Sequence, residues 1–536
     1  MELRKANLDS LSTESFDVFI VGGGINGSVA AAALSGRGLK VALVDRGDFA
    51  SSTSMNSSNL AWGGIKYMEA FEFALVRDLC RSRNLLMNSY PSSVREIRFL
   101  TTLPRGFRKS LFTVWLGAWL YWIIGNGQTL IPRLFGRREI KATEPIIQTN
   151  DCLGGIEYSD AYLYDNDSRF SFNFVRTALD LGCIAANYVE SQGAKRENGN
   201  WVIDLRDAVS GRIFTSSAKV LINAAGPFAD DYNRLISQKT RYHHIFSKGV
   251  HLIVRRLTTS GRVLAFFGSD GRLFFIIPMG DRTCIGTTDT LVKHPQVGVE
   301  DADVAFILEN INSKLALDRP LRRHDVISMR CGVRPLAVEQ SDNELSGADF
   351  LQLSRKHVID INKADQHLTV FGGKLTDCIN VGNEICSAVR GVGISVPDSV
   401  RKWYGEPTKE SRAKYFHLAS EMGLDNYGKS KFNEALSTRL WRRYGEQAFL
   451  MLDKIKQDPW QAEVLIEGTE YRRCELTVTA DREMIVKLED FLRRRSKIAM
   501  VTSIEDIRAS AGIYEACEIL FGLGASEKIE EYFASS

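Results

Sequence analysis

The sequence predicts an α/β chain, α+β overall, that ends in an all-helical domain. Three observations predict this. A strand, glycine turn, helix and second strand open the chain. Short strand-like runs punctuated by turn residues fill the middle. From about residue 405 the chain turns to Lys, Glu, Arg, Leu and Ala at helical spacing. A length of 536 residues suits about two to four domains. With 44% hydrophobic and 25% charged residues, a packed core is expected and disorder is excluded. No apolar run reaches the roughly 18 residues of a spanning helix. Lys+Arg exceed Asp+Glu only by 68 to 65, too even for a nucleic-acid binder. The nine cysteines contain no CxxC, so neither a disulfide framework nor a bound metal is expected. Reduced thiols and a leader without an apolar stretch predict a cytoplasmic location.

Taken in order, Phe16–Val21 is a compact, β-branched run that reads as a buried parallel strand. It runs into Gly22, Gly24 and Gly27, a GxGxxG turn that opens a helix of small residues from Ser28 to Leu34. A second strand, Leu39 to Val44, ends at Asp45. The first glycine permits the tight turn, the second lets backbone N–H groups approach a pyrophosphate, and the third lets helix and strand pack closely. The helix N-terminus adds partial positive charge. Asp45 stands where a carboxylate bonds ribose hydroxyls, which argues against NADP and leaves NAD and FAD open. Further strands are expected at Val202–Leu205, Val220–Ile222, Val250–Val254, Leu273–Ile277 and Leu368–Phe371. Near the C-terminus, Ile485, Leu488, Phe491 and Leu492 space out as one face of a helix.

Ordered motifs extend this unit. Thr53, Ser54, Ser57 and Ser58 lie in a hydroxyl-rich loop that feeds Gly63-Gly64. There follow Glu157-Tyr158-Ser159-Asp160, Asn223-Ala224-Ala225-Gly226-Pro227, Lys248-Gly249-Val250-His251, Ile285-Gly286-Thr287-Thr288-Asp289, Gly332-Val333-Arg334-Pro335-Leu336, Ser354-Arg355 and Phe371-Gly372-Gly373-Lys374-Leu375-Thr376. In this series the chain resembles the FAD-dependent, quinone-linked glycerol-3-phosphate dehydrogenases, within the D-amino-acid-oxidase-like flavoproteins. The resemblance implies a discontinuous Rossmann-like FAD domain from 16–100, 150–230 and 325–390. It implies a substrate domain with a mixed or antiparallel sheet from 101–149 and 231–324, and a helical C-terminal domain over 405–536. It places FAD against Gly22, Gly24, Asn26, Gly27, Asp45, Thr53, Ser54, Ser57, Ser58, Gly63, Gly64, Ala225, Gly226, Gly373, Lys374, Leu375 and Thr376.

The reaction that the resemblance implies oxidises a secondary alcohol, sn-glycerol 3-phosphate, to dihydroxyacetone phosphate. Such chemistry needs a base for the hydroxyl proton, positive charge near the developing alkoxide and a cationic clamp for phosphate. The family motifs put His251 as the base, Arg334 and Lys374 as catalytic cations, and Lys66, Tyr67 and Arg355 on the substrate. Three departures stand beside the Gly63-Gly64 pair: Asn59 replaces a Lys, Trp62 a His and Lys66 an Arg. Asp377-Cys378 also replace a polar/aromatic pair. These leave open another polyol phosphate, or a hydroxy or amino acid, as substrate. A non-catalytic flavin-binding protein is the remaining reading, and the convergent cations argue against it.

Leu111–Ile124 is an apolar run with three Trp, flanked by Arg105, Arg108, Lys109, Arg133, Arg137, Arg138 and Lys141. It is too short to span a bilayer. It reads either as a buried core helix or as an interfacial surface. The resemblance favours peripheral contact with the inner face of the cell membrane and quinone as electron acceptor. With the helix buried, oxygen would be the alternative. A homodimer is compatible with the resemblance.

Overall fold

In the computed structural model, residues 2–268, 272–340, 356–398, 401–428 and 434–534 are described. Ser15–Val21 is the middle strand of the first sheet, pairing in parallel with Val41–Val44 and Ile213–Asn223. The order is His357–Asn362, His367–Gly372, Ile213–Asn223, Ser15–Val21, Val41–Val44, Ile184–Ala186. A hairpin of Val189–Glu197 and Asn200–Asp207 continues from Ile213–Asn223. Both faces are covered, as a parallel sheet requires. Val18 and Ile20 meet the helices Ile25–Gly36 and Cys378–Gly391, whereas Phe19 packs with Leu11 and Trp201 on the other side. The glycine turn is a close-packing device. Gly22 adopts φ +106, and a Cβ on Gly27 would lie 1.8 Å from the Gly22 carbonyl oxygen.

The second sheet runs Thr290–Val292, Tyr242–Arg255, Arg282–Gly286, Leu273–Met279, Val263–Phe267, Val94–Pro104, Cys152–Leu163, Leu60–Ala61, with Val326–Glu339 on Tyr242–Arg255 and Arg133–Gly136 on Cys152–Leu163. It is antiparallel apart from the parallel pair Val263–Phe267 and Val94–Pro104. The helix Asp301–Lys314 packs on it through Val304, Ile307 and Ile311. The five strands expected from the middle of the chain are present. The sheets cut the chain differently from the expected ranges, however. Residues 94–100 of the strand Val94–Pro104, with Cys152–Leu163 and Val326–Glu339, fall in the ranges expected for the cofactor domain and pair into the second sheet. Chain neighbours are not sheet neighbours here, because these strands cross between layers.

The aromatic helix Leu111–Ile124 lies on the surface, and the buried-core reading does not hold. Ala118 and Tyr121 alone are buried along it. Phe112 (60% exposed), Leu116 (49%), Leu120 (42%) and Ile123 (60%) face outward. Tyr121 anchors it, donating to the Asp160 carboxylate at 2.6 Å, beside Arg83 at 2.8 Å from the same oxygen. Among the described residues no helix is long and apolar enough to cross a membrane. All nine cysteines are free.

The C-terminal region is helical from Lys409–Glu421 to Ala525–Ala534 and carries two cores of its own. The helix expected through Ile485 is instead a π-helical turn over Asp490–Arg495. The Asp490 carboxylate accepts from the backbone N–H of Val486 and Lys487, which stops helix from extending backwards, while Ile485 still points into the core. This turn aims arginines at the first sheet. Asp48 accepts from Arg494 Nε at 2.8 Å and from Arg495 Nη1 and Nη2 at 2.7 and 2.8 Å, all buried. Nearby, Asp165 meets Arg442 at 2.8 Å and Arg443 at 2.9 Å, and Glu483 meets Arg169 at 2.6 Å. Burial pushes the carboxyl groups of Asp48 and Asp165 up, and the paired guanidinium groups more than offset it, holding both below the usual range.

These depressed values fix a sign. The two aspartates contribute stability above their unfolded pKa of about 4, and that contribution is lost as pH falls below it. Asp48→Asn leaves two buried guanidinium groups short of a carboxylate and should cost about 3–5 kcal/mol in denaturant unfolding. A variant as stable as the parent, with unchanged acid unfolding, would show the seam to be energetically idle.

Candidate active site

The strands Tyr242–Arg255 and Val326–Glu339 build the floor of the site. Their register sets Ser247 opposite Arg334, Gly249 opposite Gly332, and His251 opposite Arg330. Alternation along a strand places these six residues on one face. The glycine pair yields the middle of that face to neighbours, and a Cβ on Gly332 would lie 2.7 Å from Asn56 Cβ. A Cβ on Gly249 would lie 2.5 Å from Arg334 Nη2, so the guanidinium leans across the gap. Arg334 donates to Thr287 Oγ1 at 3.2 Å and to Ser247 Oγ at 3.4 Å, with Asp289 Oδ1 at 3.5 Å. Ser247 itself donates to the Asp289 carboxylate.

His251 is 3% exposed, and both its ring nitrogens are without a hydrogen-bond partner among the described residues. A buried imidazole in that state is built for a group the protein does not itself supply. Burial first, then the charges of Arg330 and Arg334, pull its pKa down to about 3. Arg330 is fully buried and donates to the Ser57 carbonyl and to Asn59 Oδ1, the latter at 2.8 Å, with Met500 Sδ on its other side. The Lys-to-Asn departure at 59 is thereby explained: Asn59 accepts from a guanidinium that arrives from the sheet, and positive charge is kept at this corner.

On the other side of the hydroxyl-rich loop, Gly64 (φ +82) starts the turn Ile65–Ala70 that carries Lys66 and Tyr67. Lys374 Nζ donates to Tyr67 Oη at 2.9 Å, and the Trp62 ring stands 5.9 Å from the Tyr67 ring. The Gly63 N–H is held by Asp160. Gly372 and Gly373 both have positive φ, and Asn26 Nδ2 donates to the Gly372 carbonyl at 3.0 Å. Leu375 and Thr376 form the turn that opens the helix Cys378–Gly391, with Thr376 buried. Asp377 accepts from Ser82 at 2.6 Å and lies 3.1 Å from His357 Nδ1, so its carboxylate is engaged by these two. A cavity of about 450 Å³ beside Lys374 is also lined by Lys356, His357, Ser82 and Asn380. Arg355 lies outside the described residues.

The nucleotide end gathers at the C-terminal edge of the first sheet. Asp45 accepts from the N–H groups of Gly23 at 2.7 Å and Gly47 at 2.8 Å, and burial pushes its pKa up to about 6. Gly24 caps the helix Ile25–Gly36 with no side-chain bond of its own, and Ser54 Oγ accepts from Ile25 N at 2.9 Å. Thr53 donates to the Val333 carbonyl, Ser57 N–H donates to Asp167, and Asn223 holds the Ala225 N–H ahead of Gly226 at φ +55. Ser58 is half-buried in the same loop. A helix N-terminus lined by Gly22 and Gly24, and an orphaned His251 at the far end of the hydroxyl-rich loop, fit a dinucleotide that carries a redox ring. Sequence reasoning reaches Thr287 and Asp289 only as part of a motif, with no role, and does not reach Arg330 or Ser247. The signal for Arg330 was its place in Arg330-Cys331-Gly332-Val333-Arg334, where alternation puts both arginines on one face.

Two histidines should titrate in opposite senses. His251 should remain neutral from pH 8 down to pH 5. His357, lowered by burial but raised further by Asp377 and Glu384 to about 9, should be imidazolium over the same range. Nitrogen-15 NMR of histidine-labelled protein, assigned with His251→Asn, checks both. A His251 midpoint near the ordinary value of about 6.5 would mean that its ring is solvated.

The family described as FAD dependent oxidoreductase (DAO) matches residues 17–356, and the C-terminal domain of alpha-glycerophosphate oxidase matches residues 404–527. The chain is 29% identical to glycerol-3-phosphate dehydrogenase 2 of Mycobacterium tuberculosis over 96% of its own length and 87% of that protein's. It is 29% identical to the aerobic glycerol-3-phosphate dehydrogenase of Escherichia coli, covering 91% and 95%. It is 30% identical to D-erythritol 1-phosphate dehydrogenase of Brucella abortus, covering 68% and 71%. In fold it resembles the FAD complex of glycerol-3-phosphate dehydrogenase from Bacillus halodurans, with TM-score 0.72, 21% identity and coverage of 99% and 96%. With the glycine turn, the orphaned histidine and the family match in agreement, this chain belongs to the FAD-dependent oxidoreductases and is an enzyme whose cofactor is FAD.

Proposed function

We propose that the enzyme oxidises sn-glycerol 3-phosphate to dihydroxyacetone phosphate and passes the electrons to a quinone. The observation that carries this reading is a buried His251, its ring nitrogens without a partner among the described residues, on the same sheet face as the Arg334 guanidinium. Bound FAD supplies a hydride acceptor. The chain supplies the rest. A ring nitrogen of His251 takes the hydroxyl proton while the carbon-bound hydrogen leaves as hydride, so the C–O single bond becomes a carbonyl. Arg334, braced by Thr287 and Ser247, meets the oxygen on which charge develops. Lys374, braced on Tyr67, and Lys66 in the same turn supply positive charge for the phosphate. The names of the mycobacterial and E. coli relatives support this substrate.

A second reading keeps the chemistry and lengthens the substrate to another polyol phosphate. Trp62 against Tyr67 and the Arg330–Asn59 pair reshape the corner by the glycine pair, and one relative is named for D-erythritol 1-phosphate. Anaerobic bleaching of the flavin by each compound separates the two. Rapid bleaching by glycerol 3-phosphate supports the first. Rapid bleaching by erythritol 1-phosphate, with glycerol 3-phosphate inert, replaces it with the second.

The exposed face of Leu111–Ile124 supports a monotopic seat on a bilayer, with quinone drawn from the lipid. Phe112, Leu116, Leu120 and Ile123 share that face, exposed Leu130, Ile131 and Leu134 follow it in the chain, and Lys109, Arg137 and Arg138 flank the segment.

Arg334→Ala should retain FAD and lose about 10²–10³ in the rate of flavin reduction. Arg334→Lys should recover part of it, since a point charge lacks the fork. Near-normal reduction by the Ala variant would remove Arg334 from the reacting centre. Phe112→Asp combined with Ile123→Asp should abolish flotation with anionic phospholipid vesicles and slow quinone reduction, leaving anaerobic bleaching intact. Undiminished flotation would place the lipid contact elsewhere.

A further inference from the structure

A second cavity, of about 470 Å³, lies at the seam between the catalytic body and the C-terminal helices. Its walls come from Met55 and Asn56 of the hydroxyl-rich loop, Met329 of the sheet, and Arg493, Ala499 and Tyr532 of the C-terminal region. The volume falls within the roughly 300–1,000 Å³ of small-molecule sites. Three consecutive arginines meet this seam in different states. Arg494 and Arg495 are paired with carboxylates. Arg493 is not. It is 9% exposed, and among the described residues its guanidinium makes one hydrogen bond, to Asn56 Oδ1 at 3.3 Å, and no ion pair within 4.0 Å. Glu489, which also lines the cavity, is paired with Arg494 at 3.3 Å. A guanidinium carries five donors, and Arg493, lining the cavity, has donors left for a ligand. Burial and the neighbouring Arg330 accordingly pull its pKa down to about 10.

We propose that this cavity is a ligand site separate from the reacting centre, which takes a small molecule bearing one phosphate or carboxylate on a compact apolar body, with Arg493 as the anion receptor. The planar fork suits either oxyanion bidentately, and the two methionines and the alanine suit the body. Occupancy has a route to the chemistry. Drawing Arg493 off Asn56 acts on the residue before Ser57, whose carbonyl accepts from Arg330, the cross-strand neighbour of His251.

The test uses the FAD-loaded full chain and three probes, phenyl phosphate, benzoate and inorganic phosphate, in titration calorimetry. Phenyl phosphate or benzoate should bind saturably, and whichever binds tighter tells a phosphate ester from a carboxylate. Arg493→Met, which keeps the side chain's bulk, should weaken binding roughly tenfold or more, and Arg493→Lys should restore part of it. Arg334→Ala should bind the probes as the parent does. Should the Met variant fail to fold, the Lys variant alone must show the intermediate affinity. Unchanged affinity in Arg493→Met or Arg493→Lys overturns the site. So does loss of binding in Arg334→Ala, or the absence of saturable binding by all three probes at millimolar concentration. None of these outcomes depends on which alcohol the enzyme oxidises.

Discussion

The lattice of buried carboxylates and guanidinium groups around Asp48 and Asp165 is the constraint on which the rest of the molecule leans. Asp48 belongs to the same turn as Asp45, three residues on, and its oxygens are filled by arginines that lie more than four hundred residues away in sequence. An unpaired buried charge costs several kcal/mol, so neither side can leave without penalty to the other. The helical domain is thus fastened to the nucleotide turn by charge, although each of its two cores closes by itself. Arg330 extends the same tie towards the chemistry, reaching Met500 on one side and the Ser57 carbonyl on the other.

The site works by leaving things out. Paired glycines let Arg334 and Asn56 lie close over the sheet beside His251, and positive φ at Gly372 and Gly373 takes a backbone turn where a side chain would be strained. Among the described residues no protein group occupies the ring nitrogens of His251, while burial first, and then the charges of Arg330 and Arg334, favour its neutral form. A neutral imidazole beside fixed positive charge accepts a proton only when the approaching substrate brings negative charge to balance it. In the proposed reaction, that would couple proton removal to a correctly seated, anionic alcohol.

What the sequence made legible is whatever is local. The glycine turn, the first two strands and Asp45 are read within thirty residues, because turn geometry and strand periodicity are short-range properties. What it hid is set by distant partners. Arg330 cannot be joined to His251 without the register of two strands eighty residues apart. The run at Leu111–Ile124 is apolar on all sides, so composition could not say which side meets solvent; Tyr121 reaching Asp160 decides it. Ile485 has the spacing of a helix face, yet Asp490 captures the two N–H groups that helix would need. Asn59 looked like a lost charge until its partner came into view.

The order of strands in the first sheet has a consequence for synthesis. Ser15–Val21 emerges early, but its partner Ile213–Asn223 is made some two hundred residues later, and His367–Gly372 later still. At about 5–20 residues per second, the first strand waits roughly ten to forty seconds on the ribosome with one edge unpaired. Its sequence, Phe-Asp-Val-Phe-Ile-Val, is as apolar as an aggregating segment. The nascent chain therefore passes through a long interval in which this strand keeps an adhesive edge. The helix Glu2–Thr13 before it, through Leu8 and Leu11, and the helix Ile25–Gly36 and strand Val41–Val44 after it are the nearby cover within the chain.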